Sequence, residues 1–244
     1  MNKEIREQQF REYIDACRRK HEYVGLGNPY ANILLIGQEP AQAGDADEHI
    51  KKNIDDVLAC LNNGDLDKLY HQPRFYTDRT DRNGKPILNR TWDAYQKLID
   101  YIRPPERRSI DRKYTDFCMD AFTTELNNTV SPRQAKERKL RLETLKESDF
   151  IRGFPVIILA CGPYIHNIDG DRQIDETFSV TYDGDAEGRY DYSKSKSKWF
   201  CTHHSSDHRR LVIHTIQLSQ YSNDLLSGMA QQIQQHLDGI RSHA

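Results

Sequence analysis

The sequence predicts an α/β fold: a sandwich with a short central parallel sheet flanked by helices. Two observations lead there. Short unbroken apolar runs occur in NILLIG from Asn32, FPVIILA from Phe154 and LVI from Leu211, and they have the length of strands buried on both faces. Between them lie longer stretches with apolar residues at helical spacing, and strand–helix alternation is the pattern of layered α/β architecture. A chain of 244 residues suffices for one such domain, 1–244, with an insertion.

In order along the chain, Ile5, Phe10, Ile14 and Cys17 mark a mildly amphipathic first helix that covers one sheet face. Ile33 to Ile36 form the first strand. Gly37 and the polar turn Gln38-Glu39-Pro40 close it, at the end of the strand where open α/β sheets bind ligands. Gly37 permits an unusual backbone conformation and close approach to a ligand, and Pro40 stiffens the turn that carries Glu39. Ile50, Ile54, Val57, Leu58 and Leu61 make a helix of 45–63, stopped by NNGD at Asn62. From Leu66 to Lys85 the composition is that of a surface loop, in which Phe75 or Tyr76 offers a flat ring for a base to stack on.

Trp92, Tyr95, Leu98, Ile99 and Ile102 form a core-facing helical stripe that ends at Pro104-Pro105, followed by the basic, solvated segment RPPERRSIDRK. A strand is expected from Tyr114 to Thr123, leading into TTELNNTVSP. There Asn127 and Asn128, read from the residues alone, shape a turn or cap the next helix. The helix from Pro132 carries Arg133, Lys136, Arg138, Lys139 and Arg141. Such a run is ordinarily a solvated face; next to a pocket it meets phosphates. An insertion of about 168–205 has β-hairpin character, with Asp183-Gly184 as a turn signal and a flexible basic tip at Lys194, Lys196 and Lys198. The histidines His203, His204 and His208 lack metal-ligand spacing, so no metal is expected. The last helix, 223–240, has a packing stripe at Leu225, Leu226, Met229, Ile233, Leu237 and Ile240.

Composition narrows the function. A formal net charge of -2 with 30% charged residues does not announce a nucleic-acid binder, so such binding has to come from local basic faces. With a mean hydropathy of -0.85, no apolar run is long enough for a membrane span. The first twenty residues are charged throughout and have no signal-peptide core. Five scattered cysteines without a CxxC pair argue against zinc and iron–sulfur sites and suit reduced thiols in a cytoplasm.

Three motifs resemble those of the uracil-DNA glycosylase superfamily. IGQEP at Ile36–Pro40 is similar to its Gly-Gln-Asp-Pro-Tyr, with Glu39 in the aspartate position and Ala41 in the tyrosine position. Asn128-Thr129-Val130 is similar to its Asn-Thr-Val. His214-Thr215-Ile216-Gln217-Leu218-Ser219 is similar to its His-Pro-Ser-Pro-Leu-Ser, with His214, Leu218 and Ser219 in register and the three residues between them different. Cys161-Gly162-Pro163-Tyr164 is loosely similar to its Trp-Gly-Ser-Tyr turn. The motifs occur in family order, each after an apolar strand, and together span Asn32 to Ser219. Some branches of the superfamily carry a four-cysteine cluster that this chain lacks.

The resemblance implies a uracil-DNA-glycosylase-like sandwich and a monofunctional DNA glycosylase that acts as a monomer without metal or redox cofactor. It implies that Glu39 positions water and offsets charge on the sugar, and that His214 stabilises the departing base. Gln38, Ala41, Phe75, Tyr76 and one of Asn127 and Asn128 surround the flipped base. Leu218 fills the vacated stack, and Ser219, Arg133 and Lys136 contact DNA. Alanine at position 41 leaves the C5 edge of the base open. The expected substrate is therefore a pyrimidine bulky at C5, such as a modified cytosine in invading phage DNA. The alternatives are a uracil-DNA glycosylase of base excision repair and a non-catalytic DNA- or protein-binding module that retains the fold. A nucleotide-binding domain is disfavoured by the absence of GxGxxG and P-loop motifs.

Overall fold

The computed structural model describes residues 3–38, 45–70, 76–80, 82–108, 115–127, 134–168 and 170–242. The chain begins with α1 (Lys3–Lys20), β1 (Leu26–Gly27), β2 (Ile33–Gly37) and α2 (Ala46–Asn62). It continues through β3 (Tyr76–Thr80), β4 (Pro86–Leu88), α3 (Arg90–Ile102), β5 (Ala121–Glu125), α4 (Gln134–Glu147), α5 (Asp149–Arg152) and β6 (Val156–Leu159). The remainder comprises β7 (Asn167–Ile168), β8 (Asp171–Arg172), α6 (Gln173–Phe178), β9 (Thr181–Tyr182), α7 (Asp185–Gly188), β10 (Arg189–Asp191), β11 (Trp199–His204), β12 (Leu211–Thr215) and α8 (Asn223–Ser242).

The main sheet is mixed, in the order β1-β5-β2-β6-β12-β11-β10, with β9 also paired to β11. Its centre, β5-β2-β6-β12, is parallel. Every residue of β2, β6 and β12 is buried, as expected of strands covered on both faces. Numbered by their order in the chain, these four strands lie 2-1-3-4. Strand order therefore reverses between β2 and β6, which makes the crevice at their carboxyl ends a topological switch point.

Alternation along the strands splits the core in two. Leu34, Ile36, Phe122, Ile157 and Val212 pack against α1, α2, α4 and α6. Ile33, Leu35, Ala121, Ile158 and Ile213 pack against α3 and α8. Helix starts carry their own caps. Asp45 accepts from the backbone N–H of Asp47 at 2.9 Å, and Asn89 from that of Trp92 at 3.2 Å.

Two expectations are corrected. The strand after residue 114 begins at Ala121 and is preceded by a 3₁₀ turn, Phe117–Met119. The amide oxygen of Gln96 accepts from the backbone N–H groups of Asp116 and Phe117, and Arg103 ties down Asp116 and Asp120, so those residues serve the turn and not a ladder. The stretch 66–85 is not wholly irregular, because it contains β3, which pairs antiparallel with β4 just beyond it. The segment expected as an insertion, 168–205, contains the antiparallel pair β10 and β11. β11 lies against β12 in five-residue register and is buried along its middle, so the sheet is extended there by antiparallel strands.

The basic run on α4 also divides. Arg141 is wholly buried and belongs to no phosphate-facing surface. Its guanidinium donates to Glu22 at 2.9 Å, the Tyr13 hydroxyl at 2.9 Å, the Tyr23 carbonyl at 2.8 Å, Thr124 Oγ1 at 2.8 Å and the Glu125 carbonyl at 3.1 Å. One side chain thus joins α1, the segment before β1, β5 and α4. Removing it strands the buried Glu22 carboxylate. Breaking such a pair costs about 3–5 kcal/mol, so Arg141→Met is expected to lower the unfolding free energy by that amount in urea titrations. A loss within about 0.5 kcal/mol, typical of a surface change, would show that the network is not structural.

Candidate functional site at the strand tips

The carboxyl ends of β5, β2 and β6 stay zipped together past the last sheet residues. Leu126 N–H donates to the Gly37 carbonyl at 2.9 Å, Asn127 N–H to the Gln38 carbonyl at 2.9 Å, and Ala160 N–H to the Ile36 carbonyl at 2.8 Å. These bonds hold three tips beside one another at the switch point.

On the β6 side, Gln38 Nε2 donates to the Cys161 carbonyl at 3.1 Å, bridging the crevice. The Cys161 thiol donates toward the carbonyls of Ile36 and Gly37 at 3.2 and 3.3 Å. Burial pushes that thiol well up, and the charge of Glu125 adds to the effect, so Cys161 is a clasp and not a nucleophile. Gly162 has φ +53°, a conformation glycine takes cheaply, and it lies between the Gln38 side chain and the backbone N–H of Gln217.

His214 closes this side. It is 8% exposed. Its Nε2 lies 2.8 Å from the Gly162 carbonyl, which requires that nitrogen to carry the proton. Trp199 presents its ring edge-on at 5.0 Å. Burial lowers the imidazole from the ordinary 6.5 to about 4, opposed by the Gly162 carbonyl and assisted by His203, His166 and Arg189. At neutral pH His214 is therefore an uncharged N–H donor.

On the β5 side, Asn127 is 1% exposed, and neither its amide oxygen nor its amide nitrogen has a hydrogen-bond partner among the described residues. An unpaired buried amide costs about 1–3 kcal/mol, so such a group in a crevice is a place for a polar ligand or water. The Glu125 carboxylate lies flat over Gly37: a Cβ added there would sit 2.2 Å from Glu125 Oε2 and 2.9 Å from its Cδ. Gly37 is thus needed for space. It does not have positive φ, contrary to the expected backbone role. The Tyr95 hydroxyl, near enough to feel the Glu125 charge, is buried and pushed well up, by burial first and then by Glu125.

The structure thus brings together Gln38, Asn127 and His214 from the expected set. Glu39, Ala41, Phe75, Asn128 and Arg133 lie outside the described residues, and Tyr76 opens β3 with its ring undescribed. Lys136 is exposed on α4. Arg138 lies over the Tyr164 ring at 4.8 Å and donates to its carbonyl at 2.9 Å. Ser219 is half-buried in the 3₁₀ turn Leu218–Gln220.

Leu218 requires a correction. It is 0% exposed, in the cluster with Tyr95, Leu225 and Leu226, so in this structure it is a packing residue and not an outward wedge. The histidines have other work. His203 Nδ1 meets Asp175 at 2.9 Å and His204 Nδ1 meets Asp183 at 2.8 Å. No trio of His, Cys, Asp and Glu among the described residues is placed to hold a metal. Among the described residues no helix is long and apolar enough to cross a membrane.

Sequence reasoning missed Glu125, Trp199 and Gln217. Glu125 had a signal, a lone carboxylate ending an otherwise uncharged strand. Trp199 had none, because only the pairing of β11 with β12 brings it to His214, and Gln217 meets the site only through its backbone N–H beside Gly162. No protein-family model matches the chain, and neither a curated protein nor a solved structure matches it.

The depressed His214 makes stability depend on pH. The unfolded imidazole takes up a proton near pH 6.5, the folded one only near 4, so stability is full above 6.5 and falls as pH drops through that window. The shift corresponds to about 3 kcal/mol. Urea midpoints are expected to fall between pH 7 and 4.5, and to fall less in His214→Gln. Parallel curves for the two proteins would show that His214 is not buried in neutral form.

Proposed function

We propose that this chain is a monofunctional DNA glycosylase that removes a flipped pyrimidine bulky at C5, such as a modified cytosine of phage DNA. The observation that carries the reading is the switch point at the strand ends, where a buried amide with no partner among the described residues (Asn127) and a neutral imidazole donor (His214) lie on strand tips joined through Gln38. An amide and a neutral N–H donor suit a nucleobase, whose edge offers donors and acceptors without full charge.

In the proposed reaction the bond from the sugar C1′ to the base nitrogen breaks, its electron pair leaves with the base, water oxygen adds to C1′, and the proton that the water loses ends on the released base. Asn127 pairs with the base edge. His214 Nε2–H, now on the Gly162 carbonyl, turns to a base oxygen as negative charge grows there, and its low pKa keeps it a donor and not an acid. Glu39 orients the water and offsets charge on the sugar. The absence of a side chain beyond Cβ at Ala41 leaves room for the C5 substituent. The chain is proposed to act on DNA as a monomer without metal. Five free cysteines fit a reducing cytoplasm.

A second reading is a non-catalytic DNA-binding module, favoured by the burial of Leu218, which leaves the expected wedge unsupplied. One assay separates them. Oligonucleotides carrying uracil, 5-hydroxymethylcytosine or glucosylated hydroxymethylcytosine are scored for abasic sites. Release of the bulky bases is expected, with Glu39→Gln and His214→Ala each slower by about a hundredfold or more. Preference for uracil would reject the C5 assignment, and no release from any substrate would favour the binding module.

A further inference from the structure

The antiparallel pairing of β11 with β12 has a consequence at the crevice. Phe200 is registered with Thr215, so the turn preceding β11 projects past the end of β12 that carries His214. That turn is Ser193-Lys194-Ser195-Lys196-Ser197-Lys198. It is braced to the site. Thr215 Oγ1 donates to the Trp199 carbonyl at 2.6 Å, Trp199 meets the His214 ring, and Lys198 donates to the Gln220 carbonyl in the 3₁₀ turn beyond His214.

We propose that this turn grips the phosphate backbone of DNA on the β12 side of the crevice, through Lys194 and Lys196. The inference rests on the reading of the crevice as a site for a flipped nucleotide.

Three observations carry it. First, the turn is built, not loose. Ser193 Oγ accepts from the N–H groups of Ser197 at 2.9 Å and Lys198 at 3.2 Å, and Lys196 N–H donates to the Ser193 carbonyl at 2.9 Å. Second, the charge at its tip is unspent. Lys194 and Lys196 are exposed and enter no ion pair among the described residues, while neighbouring charges are matched: Arg189 with Asp191 at 3.0 Å and Lys97 with Asp93 at 3.0 Å. Asp224, at the start of α8, lies near enough to Tyr192 to raise the pKa of its hydroxyl, after burial and Tyr190. Third, Lys196 has φ +53°, a backbone conformation that glycine adopts at lower cost. A charged side chain kept in a strained position is a pointer to use. In a chain of net charge -2, two free ammonium groups beside the ligand edge supply the local basic face that DNA contact needs.

The test is the salt dependence of binding. Wild type, Lys194→Gln and the pair Lys194→Ala with Lys196→Gly are titrated with a fluorescein-labelled duplex oligonucleotide by anisotropy between about 50 and 200 mM salt. Each phosphate contact contributes about 0.9 to the slope of log K against log salt. The slope is expected to shrink by about 1 in the single variant and about 2 in the pair, with affinity lost equally on all sequences. Glycine at 196 relieves the strained turn, so the pair is expected to melt no lower than wild type. Unchanged slopes, or a wild type that does not bind DNA at the lowest salt, would overturn the proposal. The glycosylase reading fails separately, by salt-dependent binding without release of any base.

Discussion

β2 is hydrogen-bonded along both edges, to β5 on one side and β6 on the other, and every residue in it is buried. A strand held in this way cannot slip. A shift of one residue would turn Leu34 and Ile36 out of one core and Ile33 and Leu35 out of the other. Its end is therefore fixed, and so are the two tips bonded to it. Gln38, Asn127 and Cys161 are neighbours because the ladder continues past the sheet through Leu126, Asn127 and Ala160. The crevice is thus a product of backbone pairing, and its polar groups are set on rigid elements and not on free loops.

The second support is the buried guanidinium of Arg141. It donates to the Glu125 carbonyl at the very end of β5 while its other nitrogens bind Glu22, Tyr13, Tyr23 and Thr124. A cation in that position is expensive to desolvate, and only a full set of acceptors makes it tolerable. The result is that α4 is locked to the β5 tip, which carries Asn127. Along one helix, successive basic residues thus take separate parts: Lys136 stays in water, Arg138 lies on Tyr164, and Arg141 holds the fold together.

Much of this was legible in the sequence, because strands buried on both faces announce themselves as unbroken apolar runs, and Asp45 and the stripe after it announce α2. The tips of β2 and β12, which carry Gln38 and His214, followed from the same runs. What escaped depends on tertiary context. Leu218 looks identical in sequence whether it points to solvent or into the cluster with Tyr95; only the 3₁₀ turn decides. Gly37 suggested backbone freedom, but its reason is the neighbouring Glu125 carboxylate, a partner nearly ninety residues away. β11 was hidden because Trp199-Phe200-Cys201-Thr202-His203-His204 mixes aromatic and polar residues, and its buried histidine, His203, is made buriable by Asp175.

The chemistry proposed for the crevice follows from the groups on its described side: an amide, a neutral imidazole and a closed thiol, with the Glu125 carboxylate lying over Gly37. Cross-linking from the substrate tests most directly whether these groups surround one extruded base. A duplex with a single 5-iodopyrimidine at the target position would be bound, irradiated, and the attached peptides identified by mass spectrometry. The account predicts adducts within the segments that contain Gln38 to Ala41, Asn127 and Asn128, Gly162 to Tyr164, or His214 to Gln217. Adducts confined to other faces, with none at the strand tips, would contradict it.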